Sequence, residues 1–229
     1  MLQLFFVDDL TTPKLDGDNA HHADRVLRMK AGESLLVSDG AGKWAKCEIT
    51  VITKKEVELK VIESGFEESA SPKISVLQAI PKSDRAKETV ELLTASGVTD
   101  IYPWQAQRAI GKESEKWGIA AIEASKQSRR FYIPKVSNKL DTNSALELFK
   151  DFDQVLICHE SAELKISDAV KPAANTLIVI GPEGGITDEE LSLFEYAGAR
   201  VIKLGRPVLR SAHAGIAAIS AVSALMQVW

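Results

Sequence analysis

Leu177-Ile178-Val179-Ile180-Gly181-Pro182-Glu183-Gly184-Gly185 is the stretch on which the fold turns. Its continuous apolar run reads as a strand buried on both faces. The run breaks at a glycine-rich turn, and a helix is expected to follow from Asp188. In an α/β sheet such a turn stands at the carboxyl end of a strand, where ligands bind. Glycine lets the backbone approach a ligand closely and offers N–H donors. The spacing is neither GxGxxG nor GxxxxGK[ST]. The same residues also suit a plain strand-to-helix turn capped by Thr187 or Asp188.

Downstream, Leu204-Gly205-Arg206-Pro207-Val208-Leu209-Arg210-Ser211-Ala212 repeats the pattern. A strand over 200–204 ends in a proline-stiffened loop carrying two arginines, and a helix opens near Ser211. The 19 residues from Ser211 to Trp229 carry no formal charge with His213 neutral, a length close to a membrane span. Ser211, His213, Ser220, Ser223 and Gln227 interrupt an alanine-rich run, which favours a buried helix. Two loops of this kind after neighbouring strands could face each other across one pocket.

Upstream, strands over 74–80 and 98–104 bracket an amphipathic helix over 84–96 that Gly97 stops. A helix is expected over 114–128, and short buried strands over 153–158 and 176–180. Strands alternating with helices imply an α/β class with a largely parallel sheet covered on both faces. Pro81-Lys82-Ser83-Asp84-Arg85 closes the first of these strands, with Ser83 or Asp84 as a cap for the helix. Residues 1–70 read differently. Runs over 34–38, 44–53 and 56–64 are β-rich, and one short helix is expected over 19–29 with Asp18 or Asn19 as cap. Several short strands with one helix suggest a small barrel. The polar run ending at Pro72 places the boundary, giving domains over 1–70 and 71–229.

The 229 residues suffice for two such domains without disulfides. Cys47 and Cys158 form no CxxC pair, which excludes a disulfide scaffold and a cysteine zinc cluster. That cysteine usage makes a reducing, cytoplasmic setting the expectation, and the start, without a basic segment before its apolar residues, does not read as a signal peptide. Net charge is −4 with pI near 5.7, against indiscriminate nucleic-acid coating. That total hides a basic stretch: 126–139 holds five basic residues and no acid. Within it, Lys126-Gln127-Ser128-Arg129-Arg130-Phe131-Tyr132 sets cations beside aromatics. That composition suits an RNA surface, and equally a solvated helix end. Arg25 and Arg28 share one helical face beside His21 and His22, which lack the further ligands a metal would need.

With these residues assembled, the chain resembles the E-type ribosomal RNA small-subunit methyltransferases. His21-His22 with Arg25-Val26-Leu27-Arg28 and Gly32 carries the N-terminal resemblance. Lys82, Asp84-Arg85, Glu91-Leu92 and Gly97-Val98 carry the next part. Lys116-Trp117, Ile122-Glu123-Ala124, Gln127 to Arg130 and Ile133-Pro134 match the middle, and the 180–185 and 204–210 loops match the end. The resemblance implies a SPOUT-type parallel sheet with a C-terminal trefoil knot, preceded by a PUA-like RNA-binding barrel. It implies a homodimer; on the composition and ligand spacing above, no membrane and no metal are expected. It also implies S-adenosylmethionine as cofactor at Gly181, Pro182, Gly184, Leu204, Gly205, Val208 and Leu209. The close-packing alanines 214, 217, 221 and 224 would then lie against the knot or a partner chain. The implied reaction is methylation at N3 of a uridine in 16S ribosomal RNA.

On that resemblance, RNA contacts are expected from Arg25, Arg28, Lys82, Arg85, Arg129 and Arg130. N3 of uracil carries a proton that must leave before methyl transfer. Cations near the uracil oxygens favour its loss. Arg210 is the first candidate, with the partner subunit's Arg129 or Arg130 as others. Glu183 could act as base or orient the loop. Where the family often shows Thr-Glu-Thr-Ala, this chain has Ser211-Ala212-His213-Ala214. Ser211 can keep a hydroxyl and a capping role, Ala212 lacks the carboxylate, and His213 is new. A non-catalytic assembly factor and a transfer-RNA methyltransferase are the rival readings. A small basic patch on an acidic protein suits an assembled small subunit better than loose RNA.

Overall fold

The structure, a computed structural model, describes residues 2–112 and 114–229, and the backbone alone at 83 and 84. Two compact units are formed, one by residues 1–69 with 125–133, the other by 70–124 with 134–229.

The first unit contains β1 (Leu4–Phe6), β2 (Lys14–Asp16), α1 (Gly17–His21), β3 (Ser34–Ser38), β4 (Lys43–Ile52) and β5 (Glu56–Phe66). Its sheet runs β1-β3-β4-β5-β2 and is antiparallel except for the β1–β3 pair. Along β4, Ala45, Cys47 and Ile49 alternate inward, the period of a strand with one buried face. Two irregularities between β4 and β5 curl the sheet around Phe5, Leu15, Leu35, Val37 and Val57. The helix expected over 19–29 is shorter. After α1 the chain makes one π turn over His22–Val26, closed by Leu27 N–H to His22 O at 2.9 Å. Asp16 occupies the N-cap without a side-chain bond, so neither Asp18 nor Asn19 caps the helix. Asn19 instead donates to Phe6 O at 3.1 Å and accepts from Lys126 Nζ at 3.0 Å.

Residues 125–133 complete this unit. Phe131 stacks on Trp44 with ring centres 5.5 Å apart, and its carbonyl accepts from Gly42 N–H at 3.1 Å. Arg129 Nε donates to Leu2 O at 2.9 Å.

The second unit contains β6 (Lys73–Ala79), α2 (Ser83–Ala95), β7 (Asp100–Trp104), α3 (Trp117–Ser128), β8 (Lys135–Val136), α4 (Thr142–Leu148), β9 (Gln154–Cys158), α5 (Ile166–Ala169), β10 (Asn175–Ile180), α6 (Asp188–Tyr196), β11 (Arg200–Ile202) and α7 (Ser211–Leu225). The last turn of α3 falls in the first unit. The sheet is parallel throughout, in the order β11-β9-β10-β6-β7-β8. The opening run thus forms the interior strand β10. Leu177 and Val179 face a core with Phe149 and Phe194, while Ile178 and Ile180 face one with Leu93, Ile219 and Val222.

Gly97 ends α2 with φ +94°, the left-handed conformation a helix stop requires. The expected cap at Ser83 or Asp84 falls on side chains outside the described residues. The uncharged C-terminal run forms α7, which packs on α2 so closely that a Cβ at Gly215 would lie 2.5 Å from Leu93 Cδ2. Among the described residues no helix is long and apolar enough to cross a membrane.

Candidate active site

Register sets the site. Ile180 at the end of β10 pairs with Gln78 of β6 and Cys158 of β9, and Cys158 pairs with Ile202 of β11. Four strands therefore end on one line, and the loops behind three of them meet. Chain order reverses here: β9 leads inward to β10, and β11 returns outside β9. Such a reversal leaves a crevice at the carboxyl ends of the strands.

The crevice is a cavity of about 310 Å³. Gly181, Pro182, Val208 and Leu209 line it, together with Cys158, His159 and Glu160. A smaller recess of about 80 Å³ shares Val208 and Leu209 and adds Leu204 and Gly205. Gly184 is not among the lining residues of either; its carbonyl accepts from Arg108 Nη1 at 3.3 Å. Gly185 turns the chain with φ +77°, where a side chain would be strained.

Two side chains fix the glycine-rich loop. Thr187 caps α6 in a reciprocal box with Glu190, accepting from Glu190 N–H at 3.2 Å while Glu190 Oε2 accepts from Thr187 N–H at 3.2 Å. Of the two expected caps it is Thr187, because its backbone is extended while Asp188 is already helical. Ser211 donates to Gly181 O at 2.7 Å and accepts from Gln78 Nε2 at 3.0 Å. It does not cap α7 as expected: Arg210 holds the N-cap, and the Ser211 hydroxyl is turned to the Gly181 loop.

A second cavity, of about 270 Å³, adjoins the first at Glu183 and Arg210. Lys82, Arg85, Glu88 and His213 supply its other ionisable groups. Glu88 is clasped at both oxygens. Arg85 Nη1 donates to Oε2 at 2.8 Å, and His213 Nε2 lies 3.3 Å from Oε1. Arg85 foremost, then His213, holds the Glu88 carboxyl below the usual carboxylate range. Glu183 and Arg210 line both cavities.

The six basic residues picked from sequence divide. Lys82 and Arg85 join Arg210 at the second cavity. Arg25, Arg28, Arg129 and Arg130 belong to the first unit. Arg25 and Arg28 are exposed, Arg25 beside Asp24 at 3.2 Å. Arg130 is half-buried, and desolvation draws its guanidinium down to about 10, still charged at neutral pH. Phe131, one of the aromatics beside these cations, has Trp44 against one face.

Sequence reasoning missed the β9 loop. His159 Nδ1 lies 2.8 Å from Ser161 Oγ at the cavity edge. Burial pushes the Cys158 thiol up to about 12, so it stays protonated and unreactive there. The signal was available: 154–158 is a third apolar strand ending in polar residues. Among the described residues, no three His, Cys, Asp or Glu side chains gather as metal ligands.

Comparison with known proteins fits this geometry. A family model described as an RNA methyltransferase domain matches residues 67–223, and one described as an RNA methyltransferase PUA domain matches 15–62. The ribosomal RNA small subunit methyltransferase E of Mycobacterium bovis is 33% identical over 99% of this chain and 93% of its own length. The Bacillus subtilis protein of that name is 29% identical over 95% and 91%. The crystal structure of a ribosomal RNA small subunit methyltransferase E from Neisseria gonorrhoeae, bound to S-adenosyl methionine, superposes with a TM-score of 0.88. It is 28% identical and the match covers 98% of each chain.

Proposed function

The chain belongs to the ribosomal RNA small subunit methyltransferase E family, and from that premise we propose a division of labour between its two cavities. The protein is an S-adenosylmethionine-dependent enzyme that methylates ribosomal RNA. Its α/β unit is of the SPOUT type and its N-terminal unit carries a PUA domain. In our reading the target is N3 of a uridine in 16S RNA, presented by the assembled small subunit in the cytoplasm. The reading includes a homodimer, a trefoil knot near the C-terminus and a reaction that needs no metal. The apolar side chains left exposed at the end of the chain, Leu225 and Trp229, support the dimer.

The cofactor's chemistry suits the larger cavity. Ile180, Pro182, Val208 and Leu209 give apolar walls for a purine, loop backbone groups give its edge partners, and Glu160 gives a carboxylate for hydroxyl or ammonium groups. S-adenosylmethionine supplies a sulfonium methyl group, which passes to N3 as the carbon–sulfur bonding pair returns to sulfur. The chain's own part is to unpair and seat the base, hold the charge that develops on it, and take its proton. N3 is reachable only in an unpaired or flipped base. The second cavity is our site for that base, with Lys82 and Arg85 toward phosphate. The observation that carries this reading is that Glu183 and Arg210 line both cavities. Arg210 there meets the uracil oxygens as negative charge spreads onto them.

Labelled methyl transfer to small subunits from cells lacking this protein, followed by nucleoside analysis, tests the reading. Recovery as N3-methyluridine is expected. Label in transfer RNA, in another nucleoside, or nowhere despite cofactor binding would overturn it. A second test concerns the loop. Ser211→Ala removes two hydrogen bonds worth about 1 kcal/mol each. It is expected to raise the Kd for S-adenosylmethionine by roughly fivefold, read by calorimetry. Unchanged affinity would show that Gly181 holds its place without Ser211.

A further inference from the structure

We propose that His213, aligned by Glu88, is the base that takes the N3 proton, which deepens the functional reading above and rests on it. The groups facing His213 come from three parts of the second unit. Arg85 and Glu88 are on α2 with Lys82 just before it, Glu183 is on the loop after β10, and Arg210 precedes α7. Among them Glu88 is the anion within hydrogen-bond distance of the ring.

The arrangement has direction. Arg85 occupies Glu88 Oε2, so the other oxygen is presented to His213 Nε2. An ionised carboxylate accepts and does not donate, so the Nε2 position carries the hydrogen and the proton-accepting lone pair is on Nδ1. A carboxylate behind an imidazole fixes the tautomer and supports the imidazolium once it forms. The ring is neither sealed nor free: its side chain is 44% exposed, and its backbone is tied by N–H to Arg210 O at 2.8 Å. That tie sets His213 one helical turn from Arg210, the cation assigned to the uracil oxygens. Base and cation thus stand on one short segment at one cavity.

The proton balance is simple. The N3–H bond breaks with its electron pair left on nitrogen, which then bonds to the methyl carbon. The proton passes to His213 Nδ1 and from there to solvent after the product leaves. No oxidant, metal or further reactant enters. Glu183, at the cavity junction, is left to order the glycine-rich loop.

The test uses the full chain and the small-subunit substrate. His213→Ala is expected to lower kcat by about a hundredfold or more, to leave S-adenosylmethionine binding intact by calorimetry, and to regain rate with added imidazole. His213→Gln, which fills the same space, is expected to be equally slow and unrescued. The acid limb of the wild-type rate against pH should be absent in His213→Ala and present in Glu183→Gln. Nitrogen NMR of the wild type should show the Nε2-protonated ring, and Glu88→Gln should lose that preference. Near-normal turnover in His213→Ala, slow turnover with the acid limb retained and no imidazole rescue, or loss of that limb in Glu183→Gln would overturn the proposal. Wild-type protein that methylates no uridine at all would instead overturn the functional reading, and this proposal with it.

Discussion

Arg210→Ala is expected to lower the rate of methyl transfer by roughly tenfold or more while S-adenosylmethionine affinity stays near that of the wild type. The asymmetry follows from the place of the side chain. Arg210 holds the N-cap of α7 through its backbone, and its carbonyl accepts from the N–H groups of His213 and Ala214 at 2.8 and 2.9 Å. Those bonds survive the substitution, so the loop at the cofactor cavity keeps its path. The lost group is a cation that lines both cavities, and in the reading proposed above its work is to hold charge present only as the N3 proton leaves. Arg210→Lys keeps the charge but not the planar fork, and should fall between the two. Single-turnover kinetics with saturating cofactor separate transfer from binding. Unchanged turnover would remove Arg210 from the chemistry.

The largest expected effect on stability comes from a residue far less exposed. Glu190 is 5% exposed, and its carboxylate accepts from Gln107 N–H at 2.9 Å, Thr142 Oγ1 at 3.0 Å, Thr187 N–H at 3.2 Å and Thr187 Oγ1 at 3.1 Å. Trp104 Nε1 adds an outer bond to Thr142 at 3.3 Å. One side chain thus ties α6 to the segment after β7 and to the start of α4. Glu190→Ala leaves several buried donors without a partner and opens a cavity, a loss of about 3 kcal/mol. In a chain of this size that is a fall in Tm of roughly 5–10 °C, measurable by circular dichroism. Cofactor binding should weaken with it, since Thr187 closes the glycine-rich loop. A variant that melts with the wild type would mean that water replaces the carboxylate.

What the sequence disclosed follows a physical division. β10 carries the unbroken apolar run Leu177–Ile180, and β6 is apolar but for Ser75 and Gln78 in its interior; runs of that kind have one good use. The Gly181–Gly185 turn and the Thr187 cap are local chemistry, legible within a few residues. The closing helix was legible because serine and histidine break its apolar composition. The second cavity was not legible. Lys82, Ile110, Glu183 and His213 come from four separate segments, and they meet only because β10 inserts between β9 and β6. Strand order is a property of the whole sheet and leaves no mark on any one strand. The short elements were missed for a different reason. Two or three residues, as in β1, β2 and β8, are below the length at which periodicity is visible, and the neighbouring strand defines them.

The return of residues 125–133 to the first unit bears on how the chain is made. Synthesis delivers β1 to β5 early, but Phe131, whose ring covers Trp44, and Arg129, which caps the Leu2 carbonyl, arrive only after α2 and β7 have been translated. The N-terminal unit therefore cannot complete its packing as the first finished product of a vectorial process. It waits, with one face of an indole uncovered, until the ribosome has moved well into the catalytic half. A chain cut at residue 70 would be held at that unfinished stage, because the first unit takes its last nine residues from beyond the cut.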